Sequence, residues 1–205
     1  EHRVTVVGRP YPLAPPFFVL ATQNPVEQEG TYPLPEAQLD RFMFLITVDY
    51  PSRAEELEIA RTTTGSAVAK LEHVLDGAAV QRFQELVRRV PVPQHIYEFA
   101  VDLVRRTRPK TKEAPDWIKP LVSWGAGPRA VQYLILGAKS RAALTGSYMA
   151  RLEDVMAVAE PVLTHRVLTT FNAESEGITS NDIITRLVDE LNKEIGVFVI
   201  NVLDA

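Results

Sequence analysis

The hydrophobic period of this chain changes near Pro51, and that change constrains its fold more than any other feature. Before Pro51 the apolar residues come in consecutive runs, Phe17-Phe18-Val19-Leu20-Ala21 and Phe42-Met43-Phe44-Leu45-Ile46-Thr47-Val48. A run apolar at every position needs both faces buried, the habit of strands in a parallel sheet. Between the runs, Pro35 suits the first turn of a short helix, Glu36 favours that end of the helix dipole, and Leu39 and Phe42 fall on one face. Upstream, the β-rich Arg3-Val4-Thr5-Val6-Val7 and the turn residues Gly8-Arg9-Pro10-Tyr11-Pro12 predict a hairpin arm leading into the first strand. Two buried strands joined through a helix make half of a layered α/β domain and do not close a domain alone.

Beyond Pro51 the pattern is helical and well punctuated. Ser52 with Glu55 three residues later reads as a capping box, and Gly65 lies where a C-terminal cap belongs. Val80, Phe83, Leu86 and Val87, then Ile96, Phe99, Ala100, Leu103 and Val104, each mark one helix face, with Pro91 and Pro93 between the two helices. Pro128 opens a further helix that turns Val131, Leu134, Ile135 and Ala138 inward and ends near Gly146. Another starts near Leu152 with Pro161 as a kink. Thr179, with Asp182 placed to bond back, starts a last helix carrying Ile183, Leu187, Val188 and Leu191, and the stretch from Gly196 reads as a short strand or extended arm. The expected organisation is therefore an α/β part over residues 1–50, an all-α domain over 51–195 and a tail over 196–205. No internal repeat or low-complexity segment interrupts it.

Composition narrows the function classes. The chain has 205 residues, 46% apolar and 23% charged, which is the balance of a soluble globular protein. Its apolar runs fall far short of the ~20 residues that a membrane helix needs. With no cysteine there is neither a disulfide framework nor a thiolate zinc site, and the composition fits a reducing, cytoplasmic setting. Four scattered histidines offer little for a metal, and a net charge of −4 argues against a chain-wide nucleic-acid footprint. The start at Glu1-His2-Arg3 has neither an initiator Met nor a signal-peptide pattern, and reads as that of a processed product or a fragment.

Five places carry candidate chemistry. The run ending at Ala21-Thr22 stops on the amides Gln23-Asn24 before Pro25, and in open α/β sheets ligands bind beyond the carboxyl ends of strands. There Asn24 has one donor and one acceptor with which to hold a water and touch a phosphate oxygen, or it simply turns the chain. Arg41 has an always-charged guanidinium able to fork onto phosphate oxygens, or to pair with Asp40 or another carboxylate at a helix end. Arg129, in Trp124-Gly125-Ala126-Gly127-Pro128-Arg129-Ala130, falls in the first turn of a helix, where free amides favour a phosphate; Gly-Pro there is also an ordinary helix start. His165-Arg166, late in a helix, is assigned to complementing the negative helix end. The basic cluster Arg105, Arg106, Arg108, Lys110 and Lys112 has no interleaved aromatic residues and reads as a solvated helix end and loop, with subunit contact as the second choice.

Phe18-Val19-Leu20-Ala21-Thr22-Gln23-Asn24-Pro25 together with Glu29-Gly30-Thr31-Tyr32-Pro33-Leu34-Pro35-Glu36-Ala37-Gln38-Leu39-Asp40-Arg41-Phe42 resembles the sensor 1 region and the segment after it in AAA+ ATPases of the MoxR family. Trp124 to Ala130 is similar to the family's sensor 2 motif, with Gly127 where a serine usually stands. Tyr148, Glu153-Asp154-Val155 and Pro161 to Arg166 also look like MoxR-type lid sequence, so the resemblance runs from Glu1 to about Leu191. It implies the C-terminal portion of a AAA+ parallel-sheet core with a β-hairpin insert, followed by a helical lid. It gives Asn24 the sensor 1 role, Arg41 that of an arginine finger reaching a neighbouring subunit's nucleotide, and Arg129 that of sensor 2.

The resemblance also implies ATP and Mg2+ as cofactors, a homo-oligomeric ring expected to be a hexamer, and client proteins, often beside von Willebrand factor A domain proteins. Neither a Gly-x-x-x-x-Gly-Lys-Ser/Thr phosphate loop nor an acidic metal-holding pair occurs in the sequence. In the family these Walker A and Walker B elements precede the segment resembling Glu1 to Val6. The expectation is a chaperone-like ATPase motor whose finger and sensors lie here, with this stretch inactive by itself. The alternatives are a non-catalytic helical interaction module and a magnesium-chelatase-type motor subunit or AAA+ regulator.

Overall fold

Val7 and Gly8 form a two-residue turn in which both backbones take positive φ, 48° and 75°. This is the handedness that matches the twist of the strands it joins, and Gly8 adopts it without a Cβ penalty. The strands β1 (Arg3–Val6) and β2 (Arg9–Pro12) pair antiparallel with Val6 opposite Arg9, so the expected hairpin arm forms. The computed structural model describes residues 3–23, 34–66 and 70–203, with side chains through residue 194.

The two apolar runs expected as buried parallel strands are not strands. Phe17–Gln23 and Phe44–Tyr50 have no regular secondary structure, and Phe18 and Ile46 are 83% and 74% exposed. A strand exists only through a ladder of hydrogen bonds to a neighbour, and among the described residues neither run finds one. Between them lies the short helix α1 (Glu36–Leu39), with Pro35 as its N-cap.

The helices fall close to their sequence signals. In α2 (Arg53–Thr63) the Ser52 hydroxyl accepts from the Glu55 amide at 3.4 Å, while the Glu55 carboxylate accepts from the Ser52 amide at 2.8 Å, completing the capping box. α3 (Gly77–Arg89) carries its expected apolar set, yet Phe83 and Leu86 stay about half exposed and no α3 residue is buried. α4 (Gln94–Arg106) buries all five of its expected residues.

α5 (Pro128–Leu144) packs most extensively on α6 (Leu152–Leu163). Gly137 permits that approach, because a Cβ there would stand 3.2 Å from a Val158 methyl. A small antiparallel pair, β3 (Val122–Trp124) with β4 (Leu168–Thr169), and the short helix α7 (Phe171–Ser175) complete this part.

The last helix, α8 (Ser180–Leu203), begins after Thr179, whose amide and hydroxyl both donate to Asp182. Its backbone stays helical through Leu203, which corrects the strand or extended arm expected from Gly196: Val197-Phe198-Val199-Ile200 are β-formers by propensity, but they continue a helix already nucleated by the preceding turns.

The chain divides into two compact units that do not follow the sequence break at Pro51. One holds residues 1–21 and 46–84; the other holds residues 22–45 and 85–205, the division falling within α3. The second unit has a continuous apolar core, with Ile96, Leu103, Ile118, Leu134, Val155, Leu163, Ile183 and Leu187 almost fully buried. It therefore joins α1 and the residues after it to the helices of the all-α part.

Candidate functional site

Asp40, the C-cap of α1, is where the candidate residues of the second unit converge. Its Oδ2 accepts from Nη1 of Arg129 and its Oδ1 accepts from Nε of Arg166 at 2.9 Å. Arg129 stands in the first turn of α5 with its side chain 43% exposed, whereas the Arg166 side chain is 1% exposed. One carboxylate thus bridges a half-open guanidinium and a closed one.

The start of α5 is built by a close backbone approach. A Cβ on Gly125 would lie 2.3 Å from the Thr107 carbonyl oxygen, so only glycine lets the chain pass this point. The Ala126 amide donates to the buried Thr107 hydroxyl at 2.9 Å, and Arg108 donates to the Ala126 carbonyl at 2.9 Å. Gly127 is the N-cap of α5 in an extended conformation, with no side-chain cap and nothing within 4 Å of where a Cβ would stand. The free amides of this 17-residue helix and its dipole give the neighbourhood of Arg129 a preference for anions.

Arg41 is exposed, and among the described residues its guanidinium has neither a hydrogen bond nor an ion pair. Pairing of Arg41 with Asp40 is not what the structure contains; Asp40 is occupied by Arg129 and Arg166 instead. Asn24 and the run Glu29–Pro33 lie outside the described residues. Arg129 is therefore paired to Asp40, the residue that directly precedes Arg41 in the chain, while the Arg41 guanidinium itself stays clear of that carboxylate.

Arg166 does more than complement a helix end. It does donate to the Val162 carbonyl in the last turn of α6, as its position after that helix implies. It also donates to the carbonyls of Asp40 at 2.7 Å and Phe42, and its guanidinium lies over the Tyr133 ring, 5.1 Å from the centroid. Burial lowers its proton affinity and Asp40 acts to restore it, which leaves an always-charged group held in place by its acceptors.

His165 Nε2 stands 3.2 Å from the Phe42 carbonyl, while its Nδ1 is buried without a partner. Burial, then the adjacent Arg166 charge, hold this imidazole below its ordinary pKa. Because a carbonyl can only accept, Nε2 is the nitrogen that carries the proton toward Phe42.

Two of the five residues in the basic cluster after α4 pair with carboxylates within the chain, and a third bonds a main-chain carbonyl. Arg106 makes a forked pair with Glu194 at 2.7 and 2.5 Å, Arg105 pairs with Glu113, and Arg108 is committed to the Ala126 carbonyl. Sequence reasoning singled out Arg41 and Arg129 but gave no role to Tyr133, and saw Asp40 only as a partner for Arg41. The available signal for Asp40 was a carboxylate beside Arg41 in a segment that also had to face other cations.

The sequence model of the ATPase family associated with various cellular activities (AAA) matches residues 1–44, and that of the AAA lid domain matches residues 116–187. The chain is 37% identical over 188 residues to the chaperone MoxR1 of Mycobacterium tuberculosis, covering 92% of this chain and 50% of that protein. It is 38% identical over 189 residues to the Bacillus subtilis protein YeaC, covering 92% of this chain and 56% of the relative. A crystal structure from Cytophaga hutchinsonii superposes with a TM-score of 0.84 at 34% identity, covering 92% of this chain and 57% of that one. The chain thus spans about half the length of the curated relatives it matches. With a AAA match over the hairpin and α1 segment, a lid match over the helices, and these relatives along nearly all of its length, the chain belongs to the MoxR-type AAA+ ATPases.

Proposed function

We propose that the protein containing this chain is a chaperone-like ATPase motor that uses ATP binding and hydrolysis to remodel or mature partner protein complexes. The observation that carries this reading is that Arg41, exposed and without a side-chain partner among the described residues, directly follows Asp40, the carboxylate that holds Arg129, within one compact unit. An exposed guanidinium without an internal partner is suited to an anion supplied from outside, and Arg129 already holds a carboxylate that a phosphate oxygen can replace.

In this reading Arg41 is the finger that reaches the nucleotide of a neighbouring subunit, where it offsets charge developing on the transferred phosphoryl group. Arg129 is the sensor 2 arginine, binding phosphate with the help of the α5 N-terminus, and Asn24 orients water as sensor 1. ATP fits these groups; no residue of this chain is assigned to Mg2+, which the acidic pair missing from the sequence would hold. Bound magnesium supplies charge neutralisation between the phosphates. The assembly is a homo-oligomeric ring, proposed as a cytoplasmic hexamer, acting on client proteins such as those with von Willebrand factor A domains. No helix among the described residues is long and apolar enough to cross a membrane.

The test is steady-state ATP turnover by the full-length protein carrying Arg41→Ala. An arginine finger contributes about 10³–10⁵ in rate, so turnover should fall by orders of magnitude while nucleotide binding stays nearly intact. Unchanged turnover in an assembled variant would remove the finger assignment. The 205-residue stretch alone should show no hydrolysis, and robust magnesium-dependent activity in it would contradict the proposed need for residues outside it.

A further inference from the structure

The carbonyls of the backbone that carries Arg41 are held by side chains from the lid. α1 is four residues long and buries none of them; its own carbonyls accept from the amides that follow, Gln38 O from Arg41 at 3.1 Å and Leu39 O from Phe42 at 3.0 Å. Four consecutive carbonyls then tie the segment to the lid. Asp40 O accepts from Arg166 at 2.7 Å, Arg41 O from the Tyr133 hydroxyl at 2.9 Å, Phe42 O from Arg166, with His165 Nε2 at 3.2 Å, and Met43 O from Arg166 at 3.4 Å. Two residues on, the Leu45 amide donates to the Pro161 carbonyl at 2.8 Å. Tyr133 belongs to α5, the helix that also carries Arg129, and Arg166 follows α6.

We propose that Arg166 is the positioning residue for Arg41: by binding the carbonyls on both sides of it, Arg166 locks the Arg41 backbone to the lid, so that Arg41 and Arg129 are presented to phosphate oxygens as one rigid unit. The inference rests on the reading of Arg41 as a finger. Its chemical basis is the guanidinium itself. A planar fork with five donors satisfies a carboxylate and several carbonyls at once, whereas a lysine ammonium is a compact charge with three donors. Tyr133 closes the remaining carbonyl, the one on Arg41, and lies under the Arg166 guanidinium. Misplacement of a charged group by about 1 Å can cost on the order of a hundredfold in rate, so a residue that never touches nucleotide can govern turnover through this backbone.

The experiment is ATP turnover by the full-length assembled protein with Arg166→Lys, Tyr133→Phe and Arg41→Ala, and with each of the first two combined with Arg41→Ala. Arg166→Lys should lower kcat by about tenfold to a hundredfold and leave KM for ATP within about twofold. Tyr133→Phe removes one hydroxyl and leaves the packing, so it should lower kcat several-fold in a fully folded protein and carries the test if Arg166→Lys fails to fold. On the residual turnover of Arg41→Ala, either change should add less than about twofold, because a residue acting through Arg41 has nothing left to position. Wild-type kcat in both variants while Arg41→Ala is inactive would overturn the positioning role and leave the finger intact. The same loss in both backgrounds would overturn it too, marking a general structural effect. Wild-type turnover in Arg41→Ala would overturn the finger reading and this inference with it.

Discussion

Asp40 and Arg166 meet twice: the Arg166 Nε donates to the Asp40 carboxylate at 2.9 Å, and its Nη2 donates to the Asp40 main-chain carbonyl at 2.7 Å. They lie 126 positions apart in sequence, and one of them is almost sealed from water. A charge buried so completely is tolerated only where acceptors surround it, and here all but the Val162 carbonyl belong to Asp40, Phe42 and Met43.

That dependence makes Asp40→Ala a stability variant. It removes the counter-ion of Arg166 while leaving the guanidinium buried, at an expected cost of about 2–3 kcal/mol, at the upper end for a lost hydrogen bond to a charged group. Partial exposure of Asp40, 30% at its side chain, keeps the figure from being larger. Urea unfolding of the variant should show a lower midpoint at unchanged slope; an unchanged midpoint would mean that the remaining carbonyls suffice for Arg166.

The two glycines ahead of α5 should respond oppositely to added side chains. Gly125→Ala drives a methyl into the backbone of Thr107 and Arg108, which have no flexible end to yield, and should destabilise by about 1–3 kcal/mol. Gly127→Ser enters open space at an extended N-cap and supplies the hydroxyl that helix starts of this kind favour, so a gain of a few tenths of a kcal/mol is expected. Thermal unfolding of the pair gives both signs in one experiment.

Acid should loosen the lid through His165. Its folded pKa lies below the ordinary value of about 6.5, so the unfolded chain binds the proton more readily than the folded one. The stabilisation is therefore complete above about pH 6.5 and is lost as the pH falls through the lowered folded value. Arg166 opposes protonation of the ring, while Asp40 and the Phe42 carbonyl favour it. Urea midpoints between about pH 7.5 and 5 should decline more steeply for the wild type than for His165→Gln, and equal slopes would assign the acid sensitivity elsewhere.

The helical half was legible because its signals are local. Ser52 with Glu55, Thr179 with Asp182, and the spaced apolar residues of α4 each depend on neighbours within a few positions, and each forms where its pattern places it. Phe17 to Ala21 and Phe44 to Val48 depend on partner strands, which a period-based reading assumes without locating. The site was legible in its cations and not in what joins them. Arg41 and Arg129 stand in recognisable motifs, but nothing in the spacing of Asp40, Tyr133 and Arg166 announces that they meet. Long-range polar contacts of this kind depend on packing, which periodicity does not encode.

The second compact unit is discontinuous in sequence, since its residues 22–45 and 85–205 are separated by an excursion of about 40 residues. Bringing the two pieces together incurs a loop-closure entropy that grows only slowly with the length of the excursion. Cutting the chain is another matter. A lid expressed from residue 85 onward would retain Arg166 but lose every acceptor that Asp40, Phe42 and Met43 offer it, leaving a cation stripped of most of its acceptors. A fragment that keeps Arg166 paired must therefore reach back at least to Asp40 as well as forward past α6.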